Sequence, residues 1–583
     1  MTGLSKIRSV RASVAAVLLL PVVALAECKL KALEMPVTMV GSRAIAAVGI
    51  NGKEVKLMID SGAFFSSLTD AAAAELQLPV SRLPFGVGVQ GIVGKVDAQM
   101  TTVKRLQLFK GEIPDIDFIV GGNNPGSGAA GLMGRNLLGF ADTEYDLARG
   151  MIRFMFPDGD CQETMLAYWA GSTPVAEASL PRDFRDKQPA IAVDAKLNGH
   201  PVRAFFDTGA RTLVSLAAAK RAGISRESMT PAGRVYGLGR GDVPAWEAPL
   251  NSFELGGERI NNSRISVGDF DFGEVDMLIG IDFFLSHRIY VSKLQRRMYF
   301  TYNGGPVFAL SSAAPQETAA PEASDQLTDA AAYARRGAAS MARRDFTRAL
   351  ADLDRACELE PQVASHFTRR GTLHVELEHA DNALKDFDTA LGMAPDDAEA
   401  RLGRAVLRGY AGNDAAALQD LEMLGKTLSA QAYARQDMAR LYARLGRQEQ
   451  ALPQWNLWIA AHPKDIALIS ALNERCWTRT MLNVELDKAL DDCNEALDRE
   501  PKNASYLDSR AWTQLRRGRL RDALSDFDRA LKLQPAGAWS LYGRGIARTR
   551  LGEQELGLAD INAAREARPS IDAEAERYGI TPQ

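Results

Sequence analysis

The sequence predicts a multidomain chain in which a doubled all-β body is followed by an all-α superhelical array. Three observations predict it. A short step occurs twice, as Met58-Ile59-Asp60-Ser61-Gly62-Ala63 and as Phe205-Phe206-Asp207-Thr208-Gly209-Ala210, 147 residues apart. Around both copies, short alternating apolar runs are separated by glycine-rich turns, the pattern of antiparallel strands. From residue 328 onward the composition turns helical and repeats mostly every 34 residues.

The first 26 residues carry Lys6, Arg8 and Arg11, then an apolar run from Val14 to Leu25, and end in Ala24-Leu25-Ala26. That is the layout of a secretory signal peptide, and the run is short for a bilayer span. It predicts an exported chain, periplasmic or secreted from a bacterium, with no stable membrane anchor after cleavage. Export permits disulfides. Of the five cysteines, Cys28 and Cys161 bracket the first unit and Cys476 and Cys493 fall on facing helices. Two bridges with Cys357 left over are one reading; five small core residues are the other.

The first unit, residues 27–165, places Asn51-Gly52 between two apolar stretches, a hairpin signal, and then a helix over Leu68 to Leu78. Gly86, Gly88 and Gly91 match a dinucleotide-binding glycine pattern. Alternation continues through Val93 and Val96, however, so no helix opens to hold a pyrophosphate, and a glycine hairpin fits better. The second unit, residues 166–305, repeats this order: Asn198-Gly199, the Asp207 step, a helix over Leu213 to Ala222, and a hairpin at Tyr236-Gly237-Leu238-Gly239. Each unit then reaches an apolar pair closed by glycine, Leu132-Met133-Gly134 and Leu278-Ile279-Gly280, lying 74 and 73 residues after its aspartate. Both finish in a two-strand turn, Tyr145 to Phe156 and Tyr290 to Tyr302. Residues 306–327, rich in Ala, Pro, Ser and Glu, read as a flexible linker.

Beyond it, Pro361, Pro395, Ser429, Pro463, Pro501, Pro535 and Pro569 close successive units, one of them 38 residues long. Small residues keep step at Ala349, Ala383, Ala417, Ala451, Ala489, Ala523 and Gly557, so that paired helices can approach closely. Period and positions resemble the tetratricopeptide repeat family, most clearly in the first two and last two units. The resemblance implies a superhelix over residues 328–583, capped by residues 570–583, whose concave surface takes a protein partner.

A net charge of -4, from 69 basic and 73 acidic residues, offers no field for nucleic acid. The chemistry lies in the two aspartates. If the units pack about a pseudo-two-fold axis, Asp60 and Asp207 share a proton, one acting as base toward a water while the other polarises a carbonyl. The Asp-Ser/Thr-Gly-Ala step, the glycine hairpin after it and the apolar-apolar-Gly element resemble the retropepsin and pepsin-like aspartic peptidases, with two retropepsin-sized units in one chain. The resemblance implies a peptide hydrolase with Asp60 and Asp207 as the catalytic pair and no metal or other cofactor. It also implies that Ser61 and Thr208 brace the site across the lobes, that Gly62 and Gly209 permit the tight turns, and that Gly134 and Gly280 support the loops from behind. The flaps would be Gly86, Gly88 and Gly91 in one unit and Tyr236, Gly237 and Gly239 in the other. Ala63 and Ala210 offer no hydroxyl to the carboxylates, which predicts a dyad that titrates high and works at weakly acidic to neutral pH. The alternative is a catalytically silent, peptide-binding scaffold for an envelope complex.

Other chemistries fit poorly. His200, His287, His366, His374, His379 and His462 show no zinc-site spacing and read as surface and loop residues. No Gly-x-Ser-x-Gly elbow occurs.

Overall fold

In the computed structural model, residues 28–84, 88–91, 94–181, 190–237, 242–271, 273–308 and 327–582 are described. The stretch expected to be a signal peptide and most of the expected linker lie outside them, as do Gly86 and Gly239. The body comprises two barrel-like lobes on a shared sheet. In the first lobe, an eight-stranded sheet curls until Arg43–Ile50 pairs with Gln99–Leu108. In the second, a seven-stranded sheet closes in the same way, Ile191–Leu197 against Asp242–Leu255.

Local chemistry fixes these elements. Asn51 and Gly52 have φ of 51° and 88°, and Asn198 and Gly199 have 48° and 80°, the left-handed pairs that tight hairpins require. In each lobe a short helix follows the aspartate's turn, and a second follows the apolar-apolar-Gly segment, Arg135–Leu138 in one and Ile281–Ser286 in the other. Thr69 accepts from the Ala72 N–H to start Asp70–Glu75, and Ser215 accepts from the Ala218 N–H to start Leu216–Arg221. Both helices are shorter than the alanine-rich runs suggest, because Leu68 and Leu213 to Ser215 are spent on strands beside the site.

The lobes are joined by a six-stranded sheet in the order Lys29–Pro36, Met151–Asp158, Asp142–Asp146, His287–Ser292, Arg297–Tyr302, Ala176–Ser179. Its seam pairs Thr143 with Val291, Glu144 with Tyr290 and Tyr145 with Ile289. Buried Glu144 accepts from Arg153 at 2.6 Å and from Arg288 of the other lobe at 2.9 Å. Asp142 accepts from the Lys293 N–H at 2.7 Å and the Ser292 hydroxyl at 3.0 Å. A one-residue slip here would strand these charges without partners, which pins the register of one lobe to the other. Cys28 is bonded to Cys161, tying down the outer strand, and Cys476 to Cys493; Cys357 is free and buried.

Two sequence expectations need correction. Phe308 is buried against Phe253 and Phe283, so the second lobe runs into the stretch assigned to the linker; an aromatic at a lobe's edge outweighs the composition around it. Of the six histidines, His287, His366, His374 and His462 are buried. His287 bonds Glu258 at 3.0 Å and stacks on Phe283, and His462 bonds the Trp458 carbonyl at 2.8 Å, so they are satisfied core groups and not surface residues.

The array holds seven helix pairs from Ala330–Ala342 to Gln554–Ala567, then a short helix Ile571–Glu576. Six pairs share a clasp that sequence reading missed. An arginine of the first helix forks onto an aspartate of the second: Arg336 with Asp352, Arg370 with Asp386, Arg404 with Asp420, Arg475 with Asp492, Arg510 with Asp526 and Arg544 with Asp560. In the fourth pair these positions are Met438 and Gln454. First helices of neighbouring pairs meet along most of the array, and second helices do not approach as closely, so the first helices line the concave side.

That side faces the first lobe. Ala338 and Ala339 enter the core that holds Val37, Met39 and Leu147. Farther along, Lys464 lies 3.5 Å from Asp70 and 3.6 Å from Asp97, and Asp465 accepts from the Asn124 N–H at 3.1 Å. Among the described residues no helix is long and apolar enough to cross a membrane.

The clasp yields a stability prediction. Asp386→Ala leaves the Arg370 guanidinium with one remaining carboxylate, Asp354 at 2.8 Å, and should cost about 3–5 kcal/mol of array stability, read as a shifted denaturant midpoint. A loss under about 1 kcal/mol would show the clasp to be ornamental.

Candidate active site

Each aspartate stands at the end of a strand that runs parallel to the apolar-apolar-Gly segment of its own lobe. Lys53–Ile59 lies beside Gly131–Met133, and His200–Phe206 beside Met277–Ile279. The Asp60 N–H donates to the Met133 carbonyl at 3.0 Å and the Asp207 N–H to the Ile279 carbonyl at 2.9 Å. Two equivalent turns therefore present two carboxyl groups, and the interlobe sheet brings them face to face.

Beneath them the lobes exchange hydrogen bonds. The Ser61 N–H donates to Thr208 Oγ1 at 2.9 Å, and the Thr208 N–H donates to Ser61 Oγ at 3.0 Å. Each hydroxyl then donates onward, Thr208 to the Ile59 carbonyl at 3.0 Å and Ser61 to the Phe206 carbonyl at 3.1 Å. This reciprocal clamp is buried, so loss of one hydroxyl would leave an amide and a carbonyl unpaired.

The glycines serve a different purpose from the one the sequence suggests. Neither Gly62 nor Gly209 has positive φ. A Cβ on Gly62 would sit 2.5 Å from Asp207 Cγ, and one on Gly209 would sit 2.6 Å from Asp60 Cγ. Each is glycine because the opposite lobe's carboxyl occupies the space. Gly134 and Gly280 are held for a similar reason: a side chain would meet the Phe65 backbone at 2.6 Å or the Arg211 backbone. Their N–H groups donate to Ser66 Oγ and Thr212 Oγ1, at 3.0 and 2.9 Å. Those hydroxyls in turn bond Asn136 and Asp282, two residues past each glycine. This second matched pair was readable from the duplication and was overlooked.

The carboxyls are within hydrogen-bonding reach of each other. Asp60 accepts from the Ala63 N–H at 2.7 Å and Asp207 from the Gly209 N–H at 2.8 Å. Both are pushed above the ordinary carboxylate range, first by burial. Asp207 rises further, because the Asp60 charge adds to burial. Asp60 is held lower by the Ala63 N–H, by the bond from Asp207 and by the Arg135 charge. One proton therefore serves two acids, and it is held by the pair. Neither Arg135 nor Arg43 was singled out in the sequence, yet both act on the pair. They were invisible there because their second-unit counterparts, Ile281 and Ala190, break the repeat.

The two hairpins differ. Val89–Gly91 pairs with Gly94–Val96 as a small antiparallel ribbon that includes Gly91, with no helix at Gly88 or Gly91. In the second lobe Thr230–Tyr236 pairs with Asp242–Leu255, and the Gly237 carbonyl beyond it accepts from Asn123 Nδ2 of the first lobe at 2.6 Å.

Family comparisons agree with this geometry. The gag-polyprotein aspartyl protease family matches residues 46–139, the family described as aspartyl protease matches residues 193–283, and tetratricopeptide repeat matches residues 336–408. The chain carries two aspartyl protease-like domains and a tetratricopeptide array. Similar solved structures include YrrB, a TPR protein with an unusual peptide-binding site, at 18% identity and TM-score 0.30, covering 33% of this chain and 97% of that one. Another is a tetratricopeptide repeat protein from Parabacteroides merdae, at 18% identity and TM-score 0.32, covering 42% of this chain and 96% of that one. No curated protein matches the chain.

Two outcomes test the site physically. Thr208→Ala should cost about 1–3 kcal/mol, while Thr208→Ser, which keeps the hydroxyl, should restore most of it. Asp207 binds its proton more tightly folded than unfolded. Its contribution is therefore fully present below the ordinary carboxylate pKa and is lost as pH rises through the raised value. Asp207→Asn should thus melt above the parent at neutral pH, with the gap closing near about pH 3. A pH-independent difference would contradict this assignment.

Proposed function

We propose that this chain is an exported aspartic endopeptidase in which Asp60 and Asp207 cleave peptide bonds through an activated water. The single observation that carries the reading is the pair of carboxyls, one from each lobe, in hydrogen-bond contact over the reciprocal Ser61 and Thr208 clamp. In the mechanism, charged Asp60 takes a proton from a water lying between the carboxyls as the water oxygen attacks the scissile carbonyl carbon. Asp207 gives its proton to the carbonyl oxygen, forming a tetrahedral diol. Asp60 then protonates the departing nitrogen, the C–N bond breaks, and a proton of the diol returns to Asp207. The raised pair supports this chemistry, since two carboxyls that hold one shared proton offer a base and an acid at once.

Export is supported by the basic, apolar and small-residue order of residues 1–26, and the two disulfides suit an oxidising compartment. We assign the array to recruitment of a protein substrate or partner. Its Lys464-Asp465 loop reaches Asp97, at the foot of the first hairpin, so cargo held on the array would lie close to the cleft.

The mature protein should cut casein and peptide libraries and be blocked by a statine-type transition-state analogue. Asp60→Asn and Asp207→Asn should each lower kcat/KM by about 10²–10⁴-fold. Cleavage that survives both substitutions would leave the silent scaffold as the better reading. The pH profile of kcat/KM should be bell-shaped and peak at weakly acidic to neutral pH. Its acid limb marks loss of the first proton from the dyad, and its alkaline limb loss of the second. A maximum below about pH 3 would overturn the high-titrating dyad.

A further inference from the structure

Beside the acid pair lie two cations that no other carboxylate among the described residues answers. Arg43 opens the strand Arg43–Ile50 of the first lobe, crosses the lobe boundary and donates from Nη1 to the Gly209 carbonyl at 2.8 Å. Arg211 follows in the same loop, is exposed, and makes no ion pair among the described residues. The charges bearing on Arg43 are Arg211, which opposes it, and the two aspartates of the dyad. Burial and the neighbouring Arg211 together hold Arg43 below its ordinary range.

Two guanidiniums set against each other, one half-buried and one exposed, cost stability, and a neutral residue at either position would relieve it. Duplication does not require them. The second unit has Ala190 where the first has Arg43, and the first has Phe64 where the second has Arg211. On the Phe64 side, Phe64 and Phe65 are exposed and packed edge to face at 4.7 Å. Arg135 lies there too, its guanidinium 5.5 Å from the Phe64 ring and its Nε donating to the Ala63 carbonyl. One turn thus sets an apolar pair beside one cation, and the other brings two cations together.

We propose that Arg43 and Arg211 form an anion subsite of the cleft, so that preferred substrates carry an aspartate or glutamate within about three residues of the scissile bond, on the side lying over Gly209. The proposal rests on the peptidase reading and names its substrate class. A carboxylate between two guanidiniums relieves their repulsion and gains charge-assisted hydrogen bonds, which a forked, planar donor suits better than an ammonium group does. The exposed Phe64 and Phe65 then favour an apolar side chain on the other side of the scissile bond.

The test is a set of peptides with a fixed apolar scissile pair and one scanned residue, Glu, Gln or Lys, at each of three positions on either side. Full-length wild type, Arg211→Gln and Arg211→Glu are compared by kcat/KM, with circular dichroism and thermal melts confirming the fold. At one position or an adjoining pair, wild type should prefer Glu over Gln by about tenfold, with Lys poorest. Arg211→Gln should shrink that ratio, and Arg211→Glu should turn the preference toward Lys. For wild type alone, raising salt from about 50 to 500 mM should compress the Glu preference, so the inference stays testable even if a variant misfolds. Equal cleavage of Glu, Gln and Lys peptides at every position, or a Glu preference untouched in folded Arg211→Glu, overturns it while leaving the peptidase standing. A wild type that cleaves none of these peptides, nor casein, overturns the peptidase reading and the subsite together.

Discussion

The structure depends on holding two desolvated carboxyl groups in contact. Left alone they would ionise and repel, and the lobes would part. Three features oppose this. Backbone N–H groups of Ala63 and Gly209 accept part of the charge, a shared proton removes one unit of it, and the Ser61 and Thr208 clamp fastens the turns from below. The clamp works only if both turns meet in register to within a few tenths of an ångström, because each hydroxyl is at once donor and acceptor. Everything larger in the body serves that tolerance. The buried Glu144 and Asp142 bonds fix the seam between lobes, and the disulfide from Cys28 holds the outermost strand to the same sheet.

The clamp also explains why so little at the site is free to vary. Gly62 and Gly209 are set by the carboxyl each one faces across the lobe boundary, so neither lobe's turn can change alone. Gly134 and Gly280 are set by the backbone of the loop in front of them, and Ser66 and Thr212 by the glycine N–H groups they accept from. Each constraint passes from one segment to the next by direct contact, from the carboxyls outward to the short helices.

Much of this was legible because duplication writes the same local chemistry twice. The Asp60 and Asp207 steps, the Asn-Gly hairpins and the glycine-closed apolar pairs recur at one offset, and a recurring offset is visible without any structure. The array was legible for the same reason. What was hidden falls between repeats or outside them. The interlobe sheet takes its central strands, Asp142–Asp146 and His287–Ser292, from different units, and no local pattern records which strands meet. The Arg-Asp clasps join positions sixteen or seventeen residues apart on facing helices, a long-period signal masked by the small residues beside it. The buried histidines were misread because their partners, Glu258 and the Trp458 carbonyl among them, come from the fold and not from neighbours in the sequence.

Carrying both halves in one chain allows a symmetric scaffold to hold asymmetric charge. Where the first lobe bonds its Ser66 turn with neutral Asn136, the second bonds its Thr212 turn with Asp282, a buried acid raised above its usual range by desolvation. Arg135 and Arg43 add their charges to the dyad, and each acts on both carboxyls. Their second-unit counterparts, Ile281 and Ala190, carry no charge. Two identical subunits could not make that distinction, because each would bring the same charges to its own half of the pair. Divergence around a fixed geometry has thus set two equivalent turns in an unequal field.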